Sequence, residues 1–232
     1  MIRFGTGGWR EVIGDGFTRE NVRRIVSALC DRMAREGVSE RGVVVGYDRR
    51  FLSREAAEWA VEVFAGNDVP VTLIARPAPT PMFMWTVRDK GCAYGLAVTA
   101  SHNPALYNGL KIFTEGGRDA EIEVTDAIAD AANRLSEPDI RSTPFEEAVA
   151  AGTVTLQTSL NWYIDAILAQ LDTEAIRHRH LSVVLDPMFG VAQTCLQTIL
   201  MTARCQVEVI NSRHDALFGG RMPSPSEATL DS

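Results

Sequence analysis

Gly42–Asp48 reads Gly-Val-Val-Val-Gly-Tyr-Asp, an unbroken apolar run of strand length. A strand with one wet face would alternate polar and apolar residues. This one does not, so it calls for cover on both faces, as in the middle of a parallel sheet. The segments around it supply that cover. Upstream, Phe17–Glu36 places Val22, Ile25, Val26, Leu29 and Met33 at helical spacing on one face. Thr18 is placed to cap this helix, with Glu20 in its first turn, where the dipole favours a carboxylate. Downstream, Arg54–Phe64 reads as a helix with Ala57, Ala60, Val61 and Phe64 inward, followed by a strand over Val69–Ala75.

The alternation continues. Thr80–Lys90 predicts a helix stopped by Gly91, and Ala93–Thr99 a further apolar strand. Leu110–Thr114 reads as a short strand, and Val124, Ile128, Ala131 and Leu135 mark another helix. A short strand and a glycine-rich turn precede all of these. The expected fold class is therefore α/β: a mixed, mainly parallel sheet layered with helices.

Residues 135–155 are rich in proline, glycine and charge, and the pattern then restarts. The expected division is a first module over residues 1–140, a linker over 141–155 and a second, incomplete α/β module over 156–232. In the second module, residues 160–172 read as a helix, 181–186 as a strand, 191–203 as a helix and 205–210 as a strand. Near the end, Ser224, Pro225 and Glu227 form a capping-box pattern that announces a helix. The expectation drawn from it is that the chain is a fragment whose sheet continues past Ser232.

Composition narrows the function classes. The net charge of -7 argues against a nucleic-acid binder, which needs a basic face for phosphates. No apolar run reaches membrane-spanning length, and the opening residues lack the layout of a signal peptide. Cys30, Cys92, Cys195 and Cys205 are scattered with no C-x-x-C pair, which points to reduced thiols and a cytoplasmic protein. His178 and His180 stand close together but lack acidic or thiol partners, and read as an exposed connection.

Chemistry concentrates at the ends of the strands, where functional loops of such sheets gather. The strand over Ala93–Thr99 runs into Thr99-Ala100-Ser101-His102-Asn103-Pro104, followed by Tyr107-Asn108-Gly109-Leu110-Lys111. Hydroxyl, imidazole, amides and ammonium suit a phosphate, which needs donors around it and a cation to neutralise it. Asn108-Gly109 reads as a tight turn that brings Lys111 back toward Ser101. By composition alone, an ordinary polar turn is the favoured reading of Ser101–Pro104. The N-terminal Phe4-Gly5-Thr6-Gly7-Gly8-Trp9-Arg10-Glu11 offers glycines and a guanidinium for an anion. In Gly46–Arg50, Asp48 either orients Arg50 or caps the turn, and the structural role is the expected one. A G-x-S-x-G elbow is absent, which argues against a serine hydrolase.

At these residues the sequence resembles the α-D-phosphohexomutase family, the phosphoglucomutases and phosphomannomutases. The Thr99–Pro104 and Tyr107–Lys111 segments together resemble that family's phosphoserine loop. Phe4–Glu11, Val43–Ser53, Ala78–Met82, Leu185–Ala192 and Gly219–Leu230 fall in the family's order. The resemblance implies that Ser101 carries a phosphoryl group, donates it to a phosphorylated hexose and takes the other phosphate back. It implies that His102 and Lys111 contact the phosphoryl group and assist proton transfer, and that Arg10 lines the same site. It also implies that Asn103 and Asn108 help to bind the phosphate. Magnesium on phosphorylated Ser101 is implied as cofactor, with aspartates expected outside this chain. Family members have four domains, of which this chain resembles the first and most of the second. The piece alone is therefore expected to turn over little. The alternative is a non-catalytic sugar-phosphate-binding or interaction module.

Overall fold

The computed structural model describes residues 1–230. Strand β1 (Trp9–Val12) leads into helix α1 (Arg19–Glu36), then β2 (Val43–Tyr47), α2 (Ser53–Gly66), β3 (Val71–Ile74), α3 (Thr80–Lys90) and β4 (Tyr94–Val98). Then come β5 (Tyr107–Thr114), the two-residue β6 (Arg118–Asp119), α4 (Ile122–Ala132), α5 (Phe145–Ala150) and β7 (Val154–Gln157). The remainder holds α6 (Asn161–Leu168), α7 (Thr173–Arg177), β8 (Ser182–Leu185), α8 (Gln193–Thr202), β9 (Gln206–Val209) and α9 (Glu227–Leu230).

The main sheet has the order β1-β5-β4-β2-β3-β7, with β6 on β5. β4, β2, β3 and β7 run parallel, while β1 and β5 pair antiparallel at one side. This is the expected mixed, mainly parallel α/β arrangement. The apolar run that calls for two covered faces has them. Val43 and Val45 pack into a core with α1, α2 and α4, and Val44 packs into another with α3, α6 and α8. Thr18 caps α1 by accepting the Asn21 N–H, and Gly37 and Gly91 close α1 and α3 in the left-handed conformation.

Three local expectations are corrected. Asn108-Gly109 is not a turn: both residues lie inside β5, opposite Glu11 and Arg10 of β1. A Cβ on Gly109 would overlap the Trp9 carbonyl oxygen, so the glycine serves close approach of two strands. The stretch expected as a linker, 141–155, carries α5 and the start of β7. Val154 is 4% exposed and β7 completes the first sheet beside β3, so the prolines and glycines there separate short packed elements. Finally, α9 begins at Glu227 and not at Pro225. Ser226 makes the cap, its N–H donating to Thr229 Oγ1 at 2.9 Å, while the Ser224 carbonyl accepts the Thr229 hydroxyl at 2.6 Å.

The second unit holds a two-stranded parallel sheet, β8–β9, with α8 between its strands. It is joined to the first unit through buried side chains. Tyr163 and Ile164 of α6 and Cys195 and Ile199 of α8 share a core with Met82, Phe83 and Val87 of α3.

Candidate functional site

The loop between β4 and β5 carries Ser101, and it emerges beside the turn that follows β2 because the two parallel strands end level, Tyr47 opposite Val98. The Asp48 N–H donates to the Val98 carbonyl at 3.1 Å, and the Thr99 N–H to the Gly109 carbonyl at 3.0 Å. Side chains then tie the two loops together. Asp48 Oδ2 accepts the Thr99 hydroxyl at 2.7 Å, and Thr99 Oγ1 accepts the Ser101 N–H at 3.0 Å. Asp48 Oδ1 accepts the Arg50 N–H at 2.9 Å and the Ser53 hydroxyl at 2.8 Å. Asp48 therefore both caps its own turn and orients Arg50, whose Nε lies 3.5 Å from Asp48 Oδ2.

Ser101 sits on this frame with φ of 55°, a left-handed conformation that a non-glycine residue adopts only where its surroundings hold it there. It is exposed, and it lines a cleft of about 450 Å³ together with His102, Asp48 and Thr99. The facing wall comes from the second unit: Pro187, Met188 and Gly190 of the β8–α8 turn, then Phe218 and Ser224. Ser101 Oγ lies 3.4 Å from His102 Nδ1, a contact too loose for an activated nucleophile–base pair.

Arg10, on β1, reaches the same loop: its Nη1 donates to Asn103 Oδ1 at 2.8 Å and its Nη2 to the Gly7 carbonyl at 3.2 Å. Partial burial lowers the pKa of this guanidinium. Asn103 thus links Arg10 to the serine loop. Two other expected residues are placed differently. Lys111 lies on β5 opposite Ala97, its Nζ 2.9 Å from Asp119 Oδ1 and 5.8 Å from the Phe113 ring centre; it is not turned back onto Ser101. Asn108 is fully buried, its amide nitrogen donating to the Phe51 carbonyl at 3.0 Å and to Ser53 Oγ at 2.9 Å. It braces the loop after β2 and offers no donor to the cleft.

Arg50 was not among the expected site residues. Its side chain is 1% exposed and lies under the serine loop. Nη1 donates to the Pro104 and Tyr107 carbonyls, both at 3.0 Å, and Nη2 to the Ser101 carbonyl at 2.7 Å and the Asn103 carbonyl at 2.8 Å. Its Cζ lies 4.9 Å from the ring centre of Phe218 in the second unit. Burial lowers its pKa, opposed by Asp48 and reinforced by the charge of Arg10. The only sequence signal for it is an arginine two residues past the aspartate that ends the β2 run.

Among the described residues no group of three His, Cys, Asp or Glu side chains is placed to hold a metal ion. His178 and His180 are exposed after α7. No described helix is long and apolar enough to cross a membrane.

Comparison with known proteins identifies the family and the fold. Residues 1–139 match the phosphoglucomutase/phosphomannomutase alpha/beta/alpha domain I, and residues 161–232 match domain II of the same family. A phosphoglucomutase/phosphomannomutase of Thermococcus kodakarensis is 30% identical over 227 residues, 98% of this chain and 48% of the relative. A phosphoglucomutase of Komagataeibacter xylinus is 28% identical over 94% of this chain and 41% of its own length. A crystal structure from Thermus thermophilus, described as a phosphomannomutase, superposes with a TM-score of 0.86 at 29% identity, covering 99% of this chain and 50% of that one. The chain spans about half the length of the curated relatives it matches. It belongs to the phosphoglucomutase/phosphomannomutase family.

Proposed function

For a chain of this family, we propose that Ser101 relays a phosphoryl group in a hexose-phosphate mutase that interconverts sugar 1-phosphates and 6-phosphates. The observation that carries this reading is the placing of Ser101. A serine held in a left-handed conformation projects into a cleft whose two walls come from the two units. The phosphoryl group leaves phosphorylated Ser101 for the free hydroxyl of a hexose monophosphate. The sugar hydroxyl gives up its proton, Ser101 Oγ gains one, and a hexose bisphosphate results. After the sugar reverses in the cleft, Ser101 takes the other phosphoryl group back, so phosphate is conserved and only its position changes.

His102, beside Ser101 Oγ, is the nearest proton carrier. Arg10 supplies positive charge from the β1 side, and Asn103 fixes it against the loop. Lys111 acts on the phosphoryl group only after its ammonium leaves Asp119, a surface carboxylate 58% exposed, and that exchange costs little. A magnesium ion on phosphorylated Ser101 would draw its other ligands from outside the described residues. Among the described residues, no three His, Cys, Asp or Glu side chains gather to hold such a cation. The substrate class is a phosphorylated hexose, and the compartment the cytoplasm.

The test is direct. The product of the complete reading frame is incubated with a hexose bisphosphate, and its intact mass and peptide map are read. Phosphate on Ser101 is expected, as is loss of nearly all mutase activity in Ser101→Ala. Full activity in Ser101→Ala overturns the reading. Sugar-phosphate binding with no phosphoryl transfer selects the non-catalytic module instead.

A further inference from the structure

We propose that Arg50 is the positioning residue of the serine loop, and that Phe218 of the second unit seals it there. This rests on the phosphoseryl reading of Ser101. A buried guanidinium is costly unless every donor is met, and here the match is nearly complete. Both N–H groups of each terminal nitrogen find a carbonyl, those of Ser101, Asn103, Pro104 and Tyr107, while Nε lies 3.5 Å from Asp48 Oδ2 and makes no hydrogen bond. Those four carbonyls span the whole loop from β4 to β5.

The consequence reaches the chemistry in two ways. The Ser101 carbonyl is pulled down onto Nη2 while the Ser101 N–H is held by Thr99 Oγ1. The two bonds fix both peptide planes of Ser101 and so hold its φ at 55°, a strained conformation that the free loop would release. The four carbonyl dipoles also point their negative ends at Arg50. Carbonyl oxygens that would repel a phosphoryl group in the cleft are turned away from it and neutralised by a buried cation. Lysine cannot replace this arrangement, because an ammonium has three donors from one point and no planar fork.

Phe218 makes the device depend on the second unit. It is 5% exposed, and the Arg50 Cζ lies over its ring, 4.9 Å from the ring centre. A neighbouring anchor holds the two units together at this turn: Arg49 Nη1 donates to the Ser212 carbonyl at 3.0 Å, and His214 Nε2 lies 3.1 Å from the Arg49 carbonyl. Loosening the second unit would therefore admit water to Arg50 and relax the loop that carries Ser101.

The experiment compares Arg50→Lys, Arg50→Ala and the milder Phe218→Leu in the full-length protein. It reads thermal midpoint, kcat and KM separately, and amide exchange over residues 101–107. In Arg50→Lys we expect kcat to fall about 100-fold, the loss that a misplacement of about 1 Å produces. KM should change far less, and amides 101–107 should exchange faster while β4 stays protected. Millimolar guanidinium should restore part of kcat in Arg50→Ala and none in Ser101→Ala. Phe218→Leu should give a smaller change of the same pattern in a protein that stays folded, with a modestly lowered thermal midpoint. A folded Arg50→Lys with wild-type kcat overturns the proposal, as does a loss spread over the whole exchange map. If wild type never acquires phosphate on Ser101, the phosphotransfer reading fails. The exchange of residues 101–107 then decides the positioning role by itself.

Discussion

Replacing Thr99 by valine removes one oxygen atom and keeps the shape, and the structure says what that atom does. Thr99 Oγ1 donates to Asp48 Oδ2 at 2.7 Å and accepts the Ser101 N–H at 3.0 Å. Asp48 is largely buried and keeps two further donors, the Arg50 N–H and the Ser53 hydroxyl, both on its other oxygen. The bond to the carboxylate contributes about 1.5–3 kcal/mol. The exposed Ser101 amide finds water when its partner goes, which adds only a few tenths. Thr99→Val should therefore destabilise the first unit by about 2–3 kcal/mol. With a urea dependence near 2–3 kcal/mol per molar for a chain of this size, the midpoint should drop by about 1 M. Thr99→Ser keeps the hydroxyl and loses one methyl, so it should cost less than about 1 kcal/mol. Urea unfolding followed through buried Trp9 measures both variants. Equal midpoints for Thr99→Val and Thr99→Ser would show that the hydroxyl bridge between the two loops contributes nothing.

Lys111→Met should leave the thermal midpoint almost unchanged, because its pair with Asp119 is exposed and contributes about 0–1 kcal/mol. A coupled mutase assay should show turnover reduced about 100-fold or more, and an unchanged rate removes Lys111 from the reaction. Gly109→Ala should cost about 1–3 kcal/mol by forcing β1 from β5 against the Trp9 carbonyl, read as a lower unfolding midpoint and an altered Trp9 emission. Three surface carboxylates should each add a small contribution to the acid limb. Asp215 is held below the usual aspartate range by the Leu217 and Gly219 N–H groups and by Arg213, Asp139 by the Ser136 hydroxyl and N–H, and Glu115 by Arg41. A depressed folded pKa adds stability that is present above about pH 4 and lost as pH falls through the folded value. Asp139→Asn and Asp215→Asn should therefore lower the midpoint slightly at pH 7, and the penalty should shrink as pH falls through each folded value. Penalties independent of pH would refute that assignment.

The parts of the fold legible in the sequence are those whose partners are side chains on a regular face. Val43–Val45 announced a strand covered on both sides because each valine needed its own layer, and the α1 stripe announced one of those layers. Asn108-Gly109 misled because local turn preference and the tertiary need for a missing Cβ select the same glycine. Only the position of β1 tells them apart. Residues 141–155 misled similarly, since proline and glycine bound a short helix and an edge strand as readily as a free connection.

The site divides along the same line. Ser101, His102, Asn103 and Arg10 form a chemical set and could be read together, whereas Arg50 works on backbone carbonyls, which have no residue identity for a sequence to display. Its meaning arises only when β2 and β4 end level and bring the two loops face to face. Phe218 is more remote still, separated from Arg50 by most of the chain and by the boundary between units. The residues that name the chemistry are therefore local, and the residues that hold the loop are long-range. Substitutions in the second unit near Phe218 should then act on Ser101 without touching the cleft's polar groups.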